Sequence, residues 1–320
     1  MRSFPLAALL AGMMAADAPA AGWERRAPLP VANGGFVAAA LGRRIVIAGG
    51  TTWDGDTKRW LDHIWSYDPV TDRWSEAGRL SAALAYPASA QIGETLWWTG
   101  GSSGDMTHRS LWTLGGDLNP RLVSRLSEGF VYAAAAPVGL ELHVIGGTDD
   151  QAALDRVSNR FRSIDLKTGR STELPPYPEK GLTTATAVAV DGRVLVFGGA
   201  SWDSAAGTVV NHAAAHAYDP RTRRWSVLPP LPRPSRGLTA IPLGPRRLYL
   251  AGGYEGDDAG FVAGGLIFDP VNPGYRPATP LPYAGMVTLV KLDGWVYCLG
   301  GEDRKRHRSD AVHRIATDGL

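Results

Sequence analysis

"RRIVIAGG", residues 43–50, is an apolar run stopped by two glycines. A short apolar run bounded by a turn signal reads as a buried strand. The same ending recurs in "TLWWTGG", "ELHVIGG", "RVLVFGG", "RRLYLAGG" and "WVYCLGG". The pairs begin at Gly49, Gly100, Gly146, Gly198, Gly252 and Gly300, at spacings of 51, 46, 52, 54 and 48 residues. A motif kept at one period over most of a chain marks a repeat architecture.

Several of these runs follow a strand-like segment of small residues, as in "GGFVAAAL", "GFVYAAAAPV", "GLTTATAVAV" and "AGMVTLVKL". Small side chains suit strands that converge on one axis. The glycine pair suits a strand end where backbones approach closely or φ becomes positive. Downstream, "SYDPVTDRW" and "AYDPRTRRW" set Tyr67 and Tyr218 seven residues before Trp74 and Trp225, and "IFDPVNPGY" repeats the spacing with Phe268 and Tyr275. Asp-Pro starts a tight turn. Gly-Gly, then Tyr-Asp-Pro, then Trp resembles the Kelch repeat, and the resemblance implies an all-β, six-bladed Kelch-type β-propeller. The second and third units keep Gly-Gly but lose the clear aromatic after the turn.

The last unit shows strands around Met286–Leu292, Trp295–Leu299 and Ala311–Ile315, and no fourth. "GWERRAPLP" supplies a spare strand, with Trp23 where the Kelch tryptophan belongs. The N-terminal strand is therefore expected to close the last blade, leaving no open sheet edge.

Composition narrows the function. Net charge is +2 with acids and bases interspersed, so no basic stripe points to nucleic acid. The single cysteine, Cys298, allows no intrachain disulfide and sits in an apolar strand, where a packed thiol is expected. His212 and His216 are four apart, which suits a metal only on a helix; in a strand they read as structural or exposed. Residues 1–21 have Arg2, a short apolar stretch and small residues, the pattern of a secretory signal peptide. The expected organisation is thus a signal peptide at 1–21 and a propeller at 22–320. The mature protein is expected to be periplasmic or secreted, with no membrane insertion.

The loops after the glycine pairs are rich in aromatic and charged residues: "TTWDGDTKRW", "SSGDMTHR", "TDDQ", "SWDS", "YEGDD" and "EDRKRHR". They are expected to meet at one mouth of the central channel. Trp53 and Trp202, at equivalent places in blades one and four, suit stacking on a sugar ring there. The last loop is the densest in charge: three acidic and five basic side chains, counting His307, lie between Gly300 and Asp310.

That loop, "GEDRKRHRSDAV", resembles one in bacterial sialic acid mutarotases, Kelch proteins of the periplasm. There Gly-Glu, five residues, Arg, a hydroxyl residue and Asp-Ala-Val recur, and the Glu and Arg are the proposed catalytic pair. The resemblance implies Glu302 as base and Arg308 as a clamp on the substrate carboxylate, with no metal or nucleotide cofactor. Joining the end of the chain to its start, "RIATDGL" to "WERRAPLPVANGGFVAAALGRRIVIAGG", continues the family's order, so the chain resembles a circularly permuted member. Asn33 and Tyr86 join Trp53 and Trp202 as expected substrate-binding residues, for a small sugar that includes acidic ones. Leu84 and Leu182 stand where the family tends to carry basic residues, which implies a neutral sugar or a lost activity. The alternative is a non-catalytic Kelch propeller that binds a glycan or protein at the same mouth.

Overall fold

A computed structural model describes residues 22–320; the expected signal peptide at 1–21 lies outside the described residues. Six four-stranded antiparallel sheets follow one another along the chain. The first is Val37–Leu41, Arg44–Ala48, His63–Asp68 and Arg73–Arg79. The last is Met286–Leu292, Trp295–Glu302 and Val312–Ala316, and its fourth strand is Glu24–Arg25. Glu24 pairs with Arg314 and Arg25 with His313, so the N-terminal strand closes the last blade as expected. Its second strand runs past Leu299 to Glu302, with an irregular register opposite Met286. That extension carries Glu302 to the mouth of the channel.

The glycine pairs have one physical cause, repeated six times. The second glycine of each pair donates its N–H to a carbonyl of the next blade. The acceptors are Leu84, Phe130, Leu182, Ser235, Gly285 and, around the ring, Asn33, at 2.6 to 2.9 Å. All twelve glycines have positive φ. A Cβ on the first glycine of any pair would come closer than 3.0 Å to that same carbonyl oxygen. Any side chain would push neighbouring blades apart. The repeat read from the sequence is therefore a latch between blades.

Apolar side chains fill the wedges between blades. Six clusters of buried residues are found, one at each blade–blade contact: Ile45 and Tyr67 face Tyr297 and Leu299, and Phe197 faces Phe268. The Kelch aromatics tie four of the six wedges on their outer side. Trp74 Nε1 donates to Ala27 O, Trp225 Nε1 to Pro175 O, the Tyr275 hydroxyl to Pro229 O, and Trp23 Nε1 to Pro280 O at 2.8 Å. Trp23 therefore occupies the role its sequence position implied.

Two further hairpins stand outside the blades, Thr51–Asp54 with Thr57–Trp60 and Ala200–Asp203 with Thr208–Asn211. They follow the first and fourth glycine pairs and form walls around the channel mouth.

Candidate functional site

The site is built around "NGG", residues 33–35. Asn33 is buried; its Nδ2 donates to Gly49 O, and its own carbonyl takes the Gly301 N–H. Gly34 leaves room for Arg308, whose Cδ and Nε would lie within 3.0 Å of a Cβ there. Gly35, at φ +75°, leaves room for the ring of Tyr86 in the same way. Two glycines at the entry to the inner strand thus form the seat of an arginine and a tyrosine that arrive from other blades.

Gly35 also begins a run of hydrogen bonds that passes through five blades. The N–H of Tyr86 donates to Gly35 O, Tyr132 to Tyr86 O, Thr184 to Tyr132 O and Gly237 to Thr184 O, at 2.7 to 3.2 Å. All five residues have positive φ, from +49° to +75°. Such φ is a strained choice for Tyr86, Tyr132 and Thr184, and non-glycine residues held there cluster at functional sites. The five line one cavity of about 690 Å³ on the channel axis, with Trp53, Lys58, Arg236, Tyr254, Glu302, Lys305 and Arg308 also in its wall.

Glu302 and Arg308 meet in that wall: Nη1 of Arg308 is 3.1 Å from Oε2 of Glu302. Arg308 is buried, while Glu302 is about one-third exposed to the cavity. The guanidinium also donates from Nε to Thr51 Oγ1, from Nη1 to His307 O and from Nη2 to the Tyr86 hydroxyl at 2.9 Å. Those three hydrogen bonds and the ion pair with Glu302 draw on all three guanidinium nitrogens. Arg308 therefore holds Glu302 and Tyr86 in place, and each nitrogen of its guanidinium already serves the protein. The Tyr86 and Tyr132 rings pack 4.8 Å apart. Burial pushes the Tyr132 hydroxyl well above its ordinary pKa, with the nearby Tyr86 and the Glu302 charge adding to the rise and Arg308 opposing it. It stays protonated and can donate.

The expected residues fall into three groups. Trp53, Tyr86, Glu302 and Arg308 come together in the cavity. Trp202 does not: it lines an adjoining groove of about 550 Å³ that shares Val209, Arg236, Tyr254 and Asp257 with the cavity. Asn33 lies beneath the lining, because its amide is engaged with Gly49.

Leu84 and Leu182 require a correction. Both are buried in wedge clusters, and both are latch acceptors equivalent to Asn33. Neither faces the cavity, so their lack of charge says nothing about the ligand. Positive charge comes instead from Lys58, Arg236 and Lys305, which the sequence reading did not single out. With Arg308 the wall carries four cations against two carboxylates, Glu302 and Asp257. The missed residues had a usable signal: Arg236 occupies the inner-strand entry of blade five, the position of Gly34 in blade one.

Elsewhere, His212 Nε2 pairs with Ser201 Oγ and the buried His216 Nδ1 with the Tyr177 hydroxyl. Cys298 is fully buried, and burial pushes its thiol up to about 12. Among the described residues no group of three or more His, Cys, Asp or Glu side chains is placed to hold a metal ion.

Comparison with known proteins agrees on the fold. Residues 32–81 and 182–232 match the family model described as the Kelch motif. Kelch-like protein 35 of Mus musculus is 25% identical over 280 residues, covering 85% of this chain and 44% of that protein. Kelch-like protein 25 of Homo sapiens is 25% identical over 269 residues, covering 81% and 43%. Kelch-like protein terF of Aspergillus terreus is 24% identical over 277 residues, covering 84% and 50%. The chain spans half or less of the length of these curated relatives. The solved structure described as "Structure of YjhT" superposes with a TM-score of 0.66 at 12% identity, over 76% of this chain and 83% of that one. At that identity the likeness is one of fold.

Proposed function

We propose that this chain, a Kelch-repeat β-propeller, is an exported sugar isomerase of the sialic acid mutarotase type, and that it is a circularly permuted member of that group. The observation that carries the reading is the Glu302–Arg308 contact at 3.1 Å in the wall of the channel cavity. The loop that supplies both residues is the one whose sequence resembles the mutarotase loop. The excess of cations in the wall supports an acidic sugar. Export rests on the pattern of residues 1–21.

In the proposed reaction a sugar hemiketal opens and recloses. Glu302 takes the proton of the anomeric hydroxyl as the bond from the anomeric carbon to the ring oxygen breaks. The ring oxygen needs a proton in the same step. Arg308 does not give it, because a guanidinium stays protonated near neutral pH. Water is one source, and the Tyr132 hydroxyl in the same wall is a donor that can hydrogen-bond the departing oxygen. The carbonyl then turns, the hydroxyl re-adds to its other face and gives its proton back to the group that supplied it, and Glu302 returns its proton to the former carbonyl oxygen. A positioned general base contributes about 10²- to 10⁴-fold.

A second reading, a non-catalytic module that binds a glycan or protein, draws on the groove beside Trp202, which extends the mouth beyond what one sugar ring fills. NMR of anomer exchange separates the two readings: the first requires faster exchange of a sugar with the protein present, sialic acid first, and the second requires binding without it.

A further inference from the structure

Arg308 is committed to the protein: it donates to Thr51, His307 and Tyr86 and pairs with the Glu302 carboxylate, so a ligand carboxylate calls for a further cation. Three other cations line the cavity. Lys58 lies over the rings of Trp60 and Tyr86, and Lys305 is exposed at the rim. Arg236 is different, because its surroundings fix it and leave one edge open.

The fixing is done in two layers. Arg236 and Tyr254 exchange backbone hydrogen bonds at the entry of blade five, N to O at 3.1 Å and O to N at 2.8 Å. The guanidinium then lies on the Tyr254 ring, 4.5 Å from its centre. Asn211, at the end of the blade-four hairpin, donates from Nδ2 to Tyr254 O, and this orients its Oδ1 to accept from Arg236 Nη1 at 3.0 Å. Among the described residues no carboxylate lies within 4.0 Å of the guanidinium, and Nε and Nη2 make no hydrogen bond. Asp257, the nearby acid of the wall, takes the Tyr254 hydroxyl instead. Arg236 is half-buried where the cavity meets the Trp202 groove, and it lines both.

From this geometry we infer that Arg236 is the carboxylate-binding residue of the site: the ligand carboxylate sits on its open Nε–Nη2 edge while Asn211 holds Nη1 and the Tyr254 ring supports one face. The inference rests on the sugar-site reading above for the identity of the ligand, not for the chemistry of the contact. A planar guanidinium already held in one orientation loses little freedom on binding and meets a carboxylate with two parallel bonds. Such a contact selects free acids over their esters.

The test measures binding by calorimetry or NMR titration, with N-acetylneuraminic acid and glucuronic acid as probes, each against its methyl ester. Wild type is expected to bind at least one free acid roughly tenfold to a hundredfold more tightly than its ester. Arg236→Met brings that ratio close to one, and Arg236→Lys gives an intermediate ratio. Asn211→Ala, which removes no charge, lowers the ratio several-fold and carries the comparison if Arg236→Met does not fold. A wild-type ratio in Arg236→Met, or a wild type that prefers neither acid to its ester, overturns the assignment. Anomer exchange measured on the same samples judges the isomerase reading separately: an intact acid preference without exchange supports the carboxylate site and removes the catalysis.

Discussion

Replacing Trp23 by Ala tests how the propeller closes. Trp23 is 4% exposed, packs in the wedge with Val296, Cys298 and Ile315, and donates to Pro280 O across to blade five. Truncating a buried tryptophan to alanine costs about 3–5 kcal/mol. Unfolding entropy of about 2.1 cal/mol/K per residue, over a propeller of about 300 residues, gives about 0.6 kcal/mol/K. The melting temperature should therefore fall by about 5–8 °C. Calorimetry of a chain spanning residues 22–320 is the assay. Trp202→Ala, on a half-buried hairpin residue outside the wedges, should lower it by a small fraction of that. Deleting residues 22–27 removes the strand as well and exposes the edge of Val312–Ala316, so solubility should fall sharply. A Trp23→Ala chain melting within about 1 °C of wild type would refute closure by the N-terminal strand, because the predicted loss is several times larger.

Two more outcomes follow from the fold. Gly146→Ala combines positive φ with a Cβ pressed on the Leu182 carbonyl, so it should destabilise by more than the roughly 1 kcal/mol of an ordinary substitution; Gly139→Ala, also at positive φ but with nothing near its Cβ, should cost less in a parallel urea melt. His143 is 1% exposed, and burial pulls its pKa down to about 4. Between about 4 and the ordinary 6.5 the unfolded chain holds a proton that the folded chain lacks. The stability from keeping His143 neutral is thus complete above about pH 6.5 and declines as pH falls toward 4, by roughly 3 kcal/mol at the limit. Urea midpoints should drop between pH 7 and pH 5, and His143→Gln should flatten that drop; an unchanged slope in the variant would exclude His143 as its source.

Much of the fold was legible because the latch writes itself into the sequence. Only glycine tolerates both the φ and the contact with the next blade, so six pairs survive at a period near 50 residues. Trp23 was legible for the same reason: the outer tie needs an aromatic donor at a fixed place. The site was legible where one loop carried it, as with Glu302 and Arg308. It was illegible where the wall draws on several blades. Arg236 is one of many arginines in the sequence, and only the folded neighbourhood of Asn211 and Tyr254 sets it apart. Leu84 and Leu182 misled because an inner-strand entry alternates between a latch position facing the wedge and a position facing the channel, one residue apart. Trp53 and Trp202 sit at matching places in matching hairpins, yet one lines the cavity and the other the groove beside it.

The central claim is that Glu302 acts as a base in the channel, and anomer-exchange NMR of the Glu302→Gln chain addresses it most directly. Glutamine keeps the size and hydrogen bonding of Glu302 but cannot accept the proton. Exchange of sialic acid, which wild type is expected to accelerate, should fall by about two to four orders of magnitude. Asp303→Asn is the control, since the Asp303 carboxylate is engaged with His307 Nδ1 and does not line the cavity, and it should stay near wild type. Exchange at the wild-type rate in Glu302→Gln, or a wild type that accelerates the exchange of no sugar, would contradict the account.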